Sequence, residues 1–331
     1  MNFSIICPVF NTPAALLEEA VSSVLSHDTE GDCEIVLVDD ASKNSETIEI
    51  LDHLAGSDSR VRLIRLDRNG GPSSARGAGV RAASGEWIGF LDSDDQWMEG
   101  ALAEFRGVIA TVPEAQWIVG HYRTFHSDGR IEVNPLLSDA IDGTLVRPGL
   151  TRVRGAALTR YLISSFRIHI GGTIVRRATL VQLTDSGFTD GLFYGDDWLL
   201  SVRLSAATDL FFIDRETYIL RRDHESVVMG SARRLTSDLA APLVAALKDP
   251  SLKAFRREIG WSLYGMRKGL ALNNMLSGRY HASVGFALRA YLMDPRQIGD
   301  LGRFVRLLFR SKDERPVAGT RYSRLEQFIA R

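Results

Sequence analysis

The sequence predicts an α/β protein: a mostly parallel central sheet flanked by helices, with a helical C-terminal extension. Three observations carry this. Apolar runs of strand length alternate with helically spaced segments through the first 95 residues. Acidic clusters stand directly after two of those runs, at the strand ends where open α/β sheets take their ligands. From about residue 231 the strand signals give way to helical periodicity rich in Arg and Lys.

The elements follow in order. Phe3–Val9 is an apolar run of strand length. Pro13 stands where the first turn of a helix tolerates proline, and Leu16, Leu17, Ala20, Val21, Val24 and Leu25 keep helical spacing. Glu34–Val38 is a second strand, ending in Asp39-Asp40. Ile48, Ile50, Leu51 and Leu54 mark a helix, and Val61–Leu66 a third strand. Asn69-Gly70-Gly71-Pro72 is a turn, Ser73–Ala83 a small-residue helix, and Trp87–Leu91 a fourth strand running into Asp92-Ser93-Asp94-Asp95. The stretch 96–230 is mixed, with strands at Gln116–Phe125 and Phe211–Leu220 and a helix at Asp196–Ala206. The expected division is 1–230, itself in halves 1–95 and 96–230, followed by 231–331.

Composition bounds the function. A 45% hydrophobic, 24% charged chain of 331 residues is that of a globular protein. Its net charge of −1 supplies no global field for nucleic acid, so no nucleic-acid partner is expected. Cys7 and Cys33 give neither a disulfide framework nor a metal-ligand spacing, which fits a reducing, cytoplasmic compartment. Met1–Leu17 lacks a basic leader and is interrupted by Pro8, Asn11 and Pro13, so it reads as strand, turn and helix start. No apolar stretch reaches the ~20 residues that span a bilayer, so the expectation is a soluble or peripheral chain.

Several clusters could carry chemistry. Along an extended backbone Asp92 and Asp94 would face one side, and neighbouring carboxylates repel unless a cation or donor lies between them. That spacing suits Mg²⁺ or Mn²⁺ on a diphosphate; it suits equally an acidic loop capping the next helix, with Asp95 near its N-terminus. Asp39-Asp40-Ala41-Ser42 reads first as a turn bonded to its own backbone. Arg76 offers a rigid donor fork for a phosphate or base carbonyl. Gly77-Ala78-Gly79 lacks the full G-x-G-x-x-G pattern after a strand, which excludes a dinucleotide loop. Gly195-Asp196-Asp197-Trp198 reads as a helix N-cap or a base. His224, in Arg222-Asp223-His224, reads as a structural residue before a metal ligand, and His121, His126 and His169 as structural only.

Taken together these motifs resemble, in order, the inverting glycosyltransferase family 2 with the GT-A, Rossmann-like fold. Ser4–Asn11 resembles its opening strand and nucleotide loop, and Glu34–Ser42 its second strand and acidic turn. Asn69–Arg76, Ala83–Ile88 and Phe90–Asp95 resemble the stretch that follows, Gly195–Trp198 the late acidic motif, and Arg222–His224 the basic turn after it. The resemblance covers roughly residues 2–228. It implies a nucleotide-binding half, 1–95, and an acceptor and catalytic half, 96–230. It implies that Pro8, Val9, Phe10, Asn11 and Asp40 hold the nucleobase, usually uracil. Arg76, Asp92 and Ser93 then meet base, ribose or diphosphate. Asp94 is the main metal carboxylate with His224 beside it, and Asp197 is the general base. Asp39, Asp95, Asp196, Trp198 and Arg222 take supporting places. The implied partners are a UDP-linked sugar donor and a saccharide or lipid-linked acceptor, as in surface polysaccharide assembly. Departures are Asp196 where the family usually has Glu, Gly77 where Asn commonly follows the arginine, and the spacing of Ser226 after His224. A nucleotidyltransferase and a non-catalytic sugar-nucleotide binder are the rival readings.

In the C-terminal region Leu301, Phe304, Val305 and Leu308 share one helical face, with Arg303, Arg306 and Arg310 opposite. The first reading is a helix packed on its own domain or on a partner copy. The second is a basic amphipathic helix in peripheral contact with the inner face of the membrane.

Overall fold

The computed structural model describes residues 2–126, 128–134, 142–165, 168–222, 240–276 and 280–292. Chain contacts divide the protein into two compact units, Met1–Ser231 with Pro250–Leu252, and Ala232–Asp249 with Lys253–Arg331.

The first unit opens as a β-α repeat: β1 (Phe3–Val9), α1 (Ala14–Leu25), β2 (Cys33–Asp39), α2 (Ser45–Ser57), β3 (Val61–Arg65), α3 (Pro72–Ala82) and β4 (Trp87–Phe90). These four strands pair in parallel in the order β3-β2-β1-β4. Both faces of β1 are covered, as a parallel strand requires. Phe3, Ile5, Cys7 and Val9 pack in one cluster with Leu17, Ala20, Val21 and Val24 of α1, while Ile6 faces α3. There Gly79 lets helix and sheet close up, since a Cβ would lie 2.3 Å from Ile6 Cγ2. Gly77 meets Ser186 Oγ in the same way, at 3.1 Å. The Gly-Ala-Gly triplet is thus a packing surface. Cys7 and Cys33 are free and buried.

Beyond β4 the sheet becomes mixed. Here lie β5 (Gln96–Trp97), α4 (Ala101–Thr111), β6 (Trp117–His126), β7 (Ile131–Asn134), β8 (Thr144–Arg147), β9 (Leu150–Val153), α5 (Ala156–Ser164), β10 (Thr173–Arg176), α6 (Arg177–Leu183), α7 (Asp196–Ala207) and β11 (Leu210–Arg222). The path continues β4-β10-β6-β11-β9-β8. β10 enters antiparallel to both neighbours, β4 and β6, whereas β6 and β11 are parallel. The long strands and α7 match the sequence expectation. The four-residue β10 carried too short a pattern to be seen.

The second unit contains α8 (Ala241–Lys248), α9 (Arg256–Leu276) and α10 (Tyr280–Tyr291). Residues 301–310 of the C-terminal expectation lie outside the described residues. Among the described residues no helix is long and apolar enough to cross a membrane.

Candidate active site

Two turns at the carboxyl ends of β1 and β2 form the first half of the site. The chain leaves β1 through Phe10 and Asn11, and leaves β2 through Asp39, Asp40 and Ala41. Asn11 and Ala41 both adopt left-handed backbone, with φ of 52° and 60°. Asn11 is suited to this conformation; an alanine there costs roughly 1–2 kcal/mol. The two turns are locked together. Asn11 Oδ1 accepts N–H bonds from Lys43 (2.7 Å) and Asn44 (3.0 Å), and Asn11 N–H donates to Ser42 Oγ (3.0 Å). Asp39 accepts from Ser42 N–H at 2.8 Å, the local turn expected of this cluster. Asp40 reaches further. Its two oxygens accept the N–H groups of Gly70 and Gly71, each at 2.8 Å, fixing the glycine turn that starts α3. Burial raises the Asp40 pKa, against the pull of those two bonds.

The acidic turn after β4 forms the other half. It is not extended: Asp95 N–H donates to the Asp92 carbonyl at 3.1 Å, closing a turn. The same-side argument for Asp92 and Asp94 therefore does not apply. Nor does Asp95 cap a helix, because α4 starts six residues later. Asp95 is buried, and accepts the Tyr218 hydroxyl (2.9 Å) and Arg221 N–H (2.8 Å), both from β11. The same Tyr218 oxygen accepts Asp92 N–H at 3.1 Å. Ser93 and Thr12 share a hydroxyl hydrogen bond of 2.7 Å, which joins the two halves.

Arg76 sits at the centre, 5% exposed. One guanidinium nitrogen binds Asp92, the other Asp196 Oδ2 at 2.5 Å. Burial works against its charge, but Asp196 and Asp92 outweigh it and hold the group protonated above its usual range. Asp196 and Asp197 open α7, whose N-cap is Gly195 in left-handed backbone (φ 70°). The expected aspartate N-cap is thus displaced: both carboxylates occupy the first turn. The loop leading to α7 is tied to α3, with Ser73 Oγ donating to the Thr189 carbonyl (2.7 Å) and Gly191 N–H to Ser74 Oγ (3.0 Å). Buried Arg203 holds it from the other side through the Gly187 carbonyl (2.9 Å) and Thr189 Oγ1 (3.0 Å). Trp198 is buried, its indole N–H on the Leu162 carbonyl (2.7 Å), which packs α7 onto α5, while its backbone N–H donates to Asp197 Oδ1 (2.7 Å).

Asp92 and Asp196 thus bond this one buried guanidinium, Asp197 follows Asp196 in the first turn of α7, and Asp95 is joined to Asp92 through the turn and Tyr218. Burial and neighbouring charge shift three carboxylates here. Burial opposes the charge of Asp92, yet Arg76 draws its pKa below the usual value. Burial, then the charges of Asp92 and Asp94, push Asp95 well above the usual range. Burial and the charge of Asp196 raise Asp197 to about 7, against the pull of Arg76.

The sequence reads His169 as structural, and its ring does cap the short helical turn at Ile170–Gly172; the other ring nitrogen faces the acidic turn. Its Nε2 lies 3.8 Å from Asp92 Oδ2, and Asp92, Asp95 and His169 each offer an atom within 4.8 Å of the others. Burial lowers the imidazole pKa, favouring the neutral ring. Nδ1 accepts Gly171 N–H at 3.2 Å, so the ring proton resides on Nε2 and points toward Asp92. The carboxylates fit a hard divalent cation; the imidazole in this tautomer is a donor. No sequence pattern marked His169, Tyr218 or Arg203. The only trace was the Gly171-Gly172 pair, where a Cβ on Gly171 would lie 1.9 Å from the Tyr218 ring. His121 and His126 instead pair with Asp214 and Glu132. Arg222 ends β11 and is exposed; His224 lies outside the described residues.

A parallel β-α-β half joined to a mixed half, with an acidic cluster at the strand ends between them, is the architecture of the GT-A fold. The first 349 residues of Staphylococcus aureus TarS, solved in complex with UDP-GlcNAc, share it with a TM-score of 0.64 and 18% identity, over 93% of this chain and 86% of that one. Residues 4–174 match the profile of glycosyl transferase family 2, and the chain belongs to that family. The glycosyltransferase EpsJ of Bacillus subtilis (strain 168) is 33% identical over 191 residues, 56% of this chain and 53% of EpsJ. A GalNAc(5)-diNAcBac-PP-undecaprenol beta-1,3-glucosyltransferase of Campylobacter jejuni is 36% identical over 103 residues, 31% of this chain and 32% of that protein. The chain therefore spans about half and about a third of these relatives. Asp196 and Asp197 lie beyond the matched profile.

Proposed function

We propose that this chain is an inverting, metal-dependent glycosyltransferase. It moves a sugar from a nucleoside diphosphate sugar, a UDP sugar, to a hydroxyl of a saccharide or lipid-linked saccharide, in surface polysaccharide assembly. The observation that carries the reading is Asp197: a carboxylate raised to about 7 by burial and by Asp196, at a helix start held to the strand-end cluster by Arg76. A general base works best with a pKa near the working pH. Asp197 takes the proton of the acceptor hydroxyl as that oxygen attacks the anomeric carbon, and the nucleoside diphosphate leaves from the opposite face. Asn11, Asp40 and the Gly70-Gly71 turn form the seat of the base and ribose. Arg76 keeps Asp92 ionised and orients it, and His169 adds a neutral N–H donor beside it. Mg²⁺ or Mn²⁺ would be held by Asp94, with Asp92 and Asp95 of the same turn and, by the family resemblance alone, His224, and would offset charge on the diphosphate.

Support for the donor class comes from the UDP-GlcNAc complex of TarS, which shares the fold. Support for the acceptor class comes from the undecaprenol-linked substrate in the name of the Campylobacter relative. Calorimetric titration of UDP, and of GDP in parallel, with Mn²⁺ or Mg²⁺ and then with chelator, tests the reading. Metal-dependent, UDP-selective binding that weakens in Asp94→Ala is the expected result. Binding of neither nucleotide under any metal condition removes the donor site.

A further inference from the structure

The net charge of −1 conceals two large charges of opposite sign. Residues 1–231 carry 21 Lys and Arg against 33 Asp and Glu, a net −12; residues 232–331 carry 19 against 8, a net +11. The change of sign coincides with the boundary between the two compact units, and residues 250–252 of the first unit are uncharged. Opposite charge on two parts of one chain points to a basic part that meets an anionic partner.

The described helices show where the cations meet apolar surface. α9 and α10 pair side by side: Ser283 Oγ donates to the Ala271 carbonyl (2.7 Å) and Arg267 donates to the Arg289 carbonyl (3.3 Å). This register is antiparallel, so the start of α9 and the end of α10 share the end opposite their connection. That end carries exposed Lys253, Arg256, Arg257 and Arg289. Among them stand three large apolar side chains left in water: Trp261 at 50%, Leu288 at 44% and Leu292 at 75% exposed. Asp249 and Glu258 are the only acidic residues among the described residues of this unit. Indole and leucine beside guanidinium groups suit an interface with acyl chains below and phosphates above. Nucleic acid would engage the cations and gain nothing from exposed leucines.

We infer that the C-terminal unit docks this chain on an anionic lipid bilayer through the exposed cations and apolar side chains of α9 and α10. Trp261 and Leu292 enter the headgroup layer, and Lys253, Arg256, Arg257 and Arg289 meet lipid phosphates. The first unit, at −12, would be repelled by the same surface, so the second supplies all of the attraction. The inference is independent of the donor-site reading.

Cosedimentation of the full chain with lipid vesicles tests it. Retention is expected on phosphatidylcholine vesicles containing about 30% phosphatidylglycerol at about 0.05 M salt, release at about 0.5 M, and no retention on phosphatidylcholine alone. Each cation near an anionic surface contributes roughly fivefold, so Arg256→Glu with Arg257→Glu lowers partition by roughly 30-fold or more. Trp261→Ala weakens retention without changing its salt slope. UDP titration of these variants should match the parent, which separates failure of docking from failure of the donor site. If the double variant does not fold, the lipid and salt series on the parent and Trp261→Ala still decide. The inference is overturned by equal retention on neutral and anionic vesicles, or by none on anionic vesicles at low salt. It is overturned too by single-stranded RNA displacing the vesicles with affinity untouched by Trp261→Ala, or by salt-sensitive self-association without vesicle retention.

Discussion

Replacing Arg76 with Met keeps much of the apolar stem and removes the fork that joins Asp92 to Asp196. Both bonds are charge-assisted, and the guanidinium is 5% exposed. Breaking a buried ion pair from one side costs about 3–5 kcal/mol, because the partner stays buried and unpaired. Two partners are stranded here, so the upper end of that range is expected. Urea denaturation followed by fluorescence of the five tryptophans measures it. The dependence on pH is the sharper readout. In the parent the Asp92 pKa lies below its ordinary value. Its stabilising contribution is therefore present above about pH 4 and lost as pH falls through the folded pKa. In Arg76→Met the largest pull against burial is gone, His169 opposes burial only in part, and the Asp92 pKa rises. The variant then binds a proton that the parent does not, and the difference between them shrinks by up to about 1.4 kcal/mol per pH unit below the new pKa. A loss under about 1 kcal/mol at pH 8, or a larger loss that stays constant down to pH 5, would falsify the bridge.

Other outcomes follow from single residues. Asp197→Asn should lower transfer by roughly 10²–10⁴-fold while UDP titration stays unchanged; full turnover would remove the base. Because that base must be ionised, kcat/KM of the parent should rise with pH and level off above about 7, and a profile flat from pH 5 to 8 would contradict the assignment. The same raised pKa makes stability fall as pH climbs from about 4 toward 7, a slope that Asp197→Asn should flatten in thermal melts across that window. Ala41→Gly relieves left-handed backbone at φ 60° and should stabilise by roughly 0.5–1 kcal/mol after the entropy of glycine is subtracted; a lower melting temperature would show that the strain is absent. Gly79→Ala drives a methyl to 2.3 Å from Ile6 Cγ2 and should cost about 1–3 kcal/mol, read as a lower urea midpoint.

The parallel half was legible because its strands are buried on both faces and so appear as unbroken apolar runs. β1, β2 and β4 lie within a residue of where the runs place them. The positions after those strands were legible for the same reason, since a chain leaving a parallel strand must turn at its carboxyl end. The contacts that assemble the site were not. Arg76 and Asp196 stand 120 residues apart, and Tyr218 and Asp95 stand 123 apart. No local pattern encodes a pairing over that distance. His169 was missed because a single imidazole in an apolar stretch looks the same whether it packs or faces a charge. The Asp92–Asp94 spacing misled because alternation holds only for extended backbone, and here the chain turns.

The short antiparallel strand β10 has a consequence for synthesis on the ribosome. β4 is complete at Phe90, but the strand that covers its outer edge begins at Thr173. At ordinary translation rates that edge waits roughly 4–17 s for its neighbour to emerge. Throughout that interval Trp87–Phe90 offers an unpaired hydrogen-bonding row, the feature by which nascent chains capture one another. The central seam of the finished sheet is therefore its last parallel-half edge to close. Yield in the cell should respond to chaperone supply and growth temperature more than the stability of the folded protein would suggest.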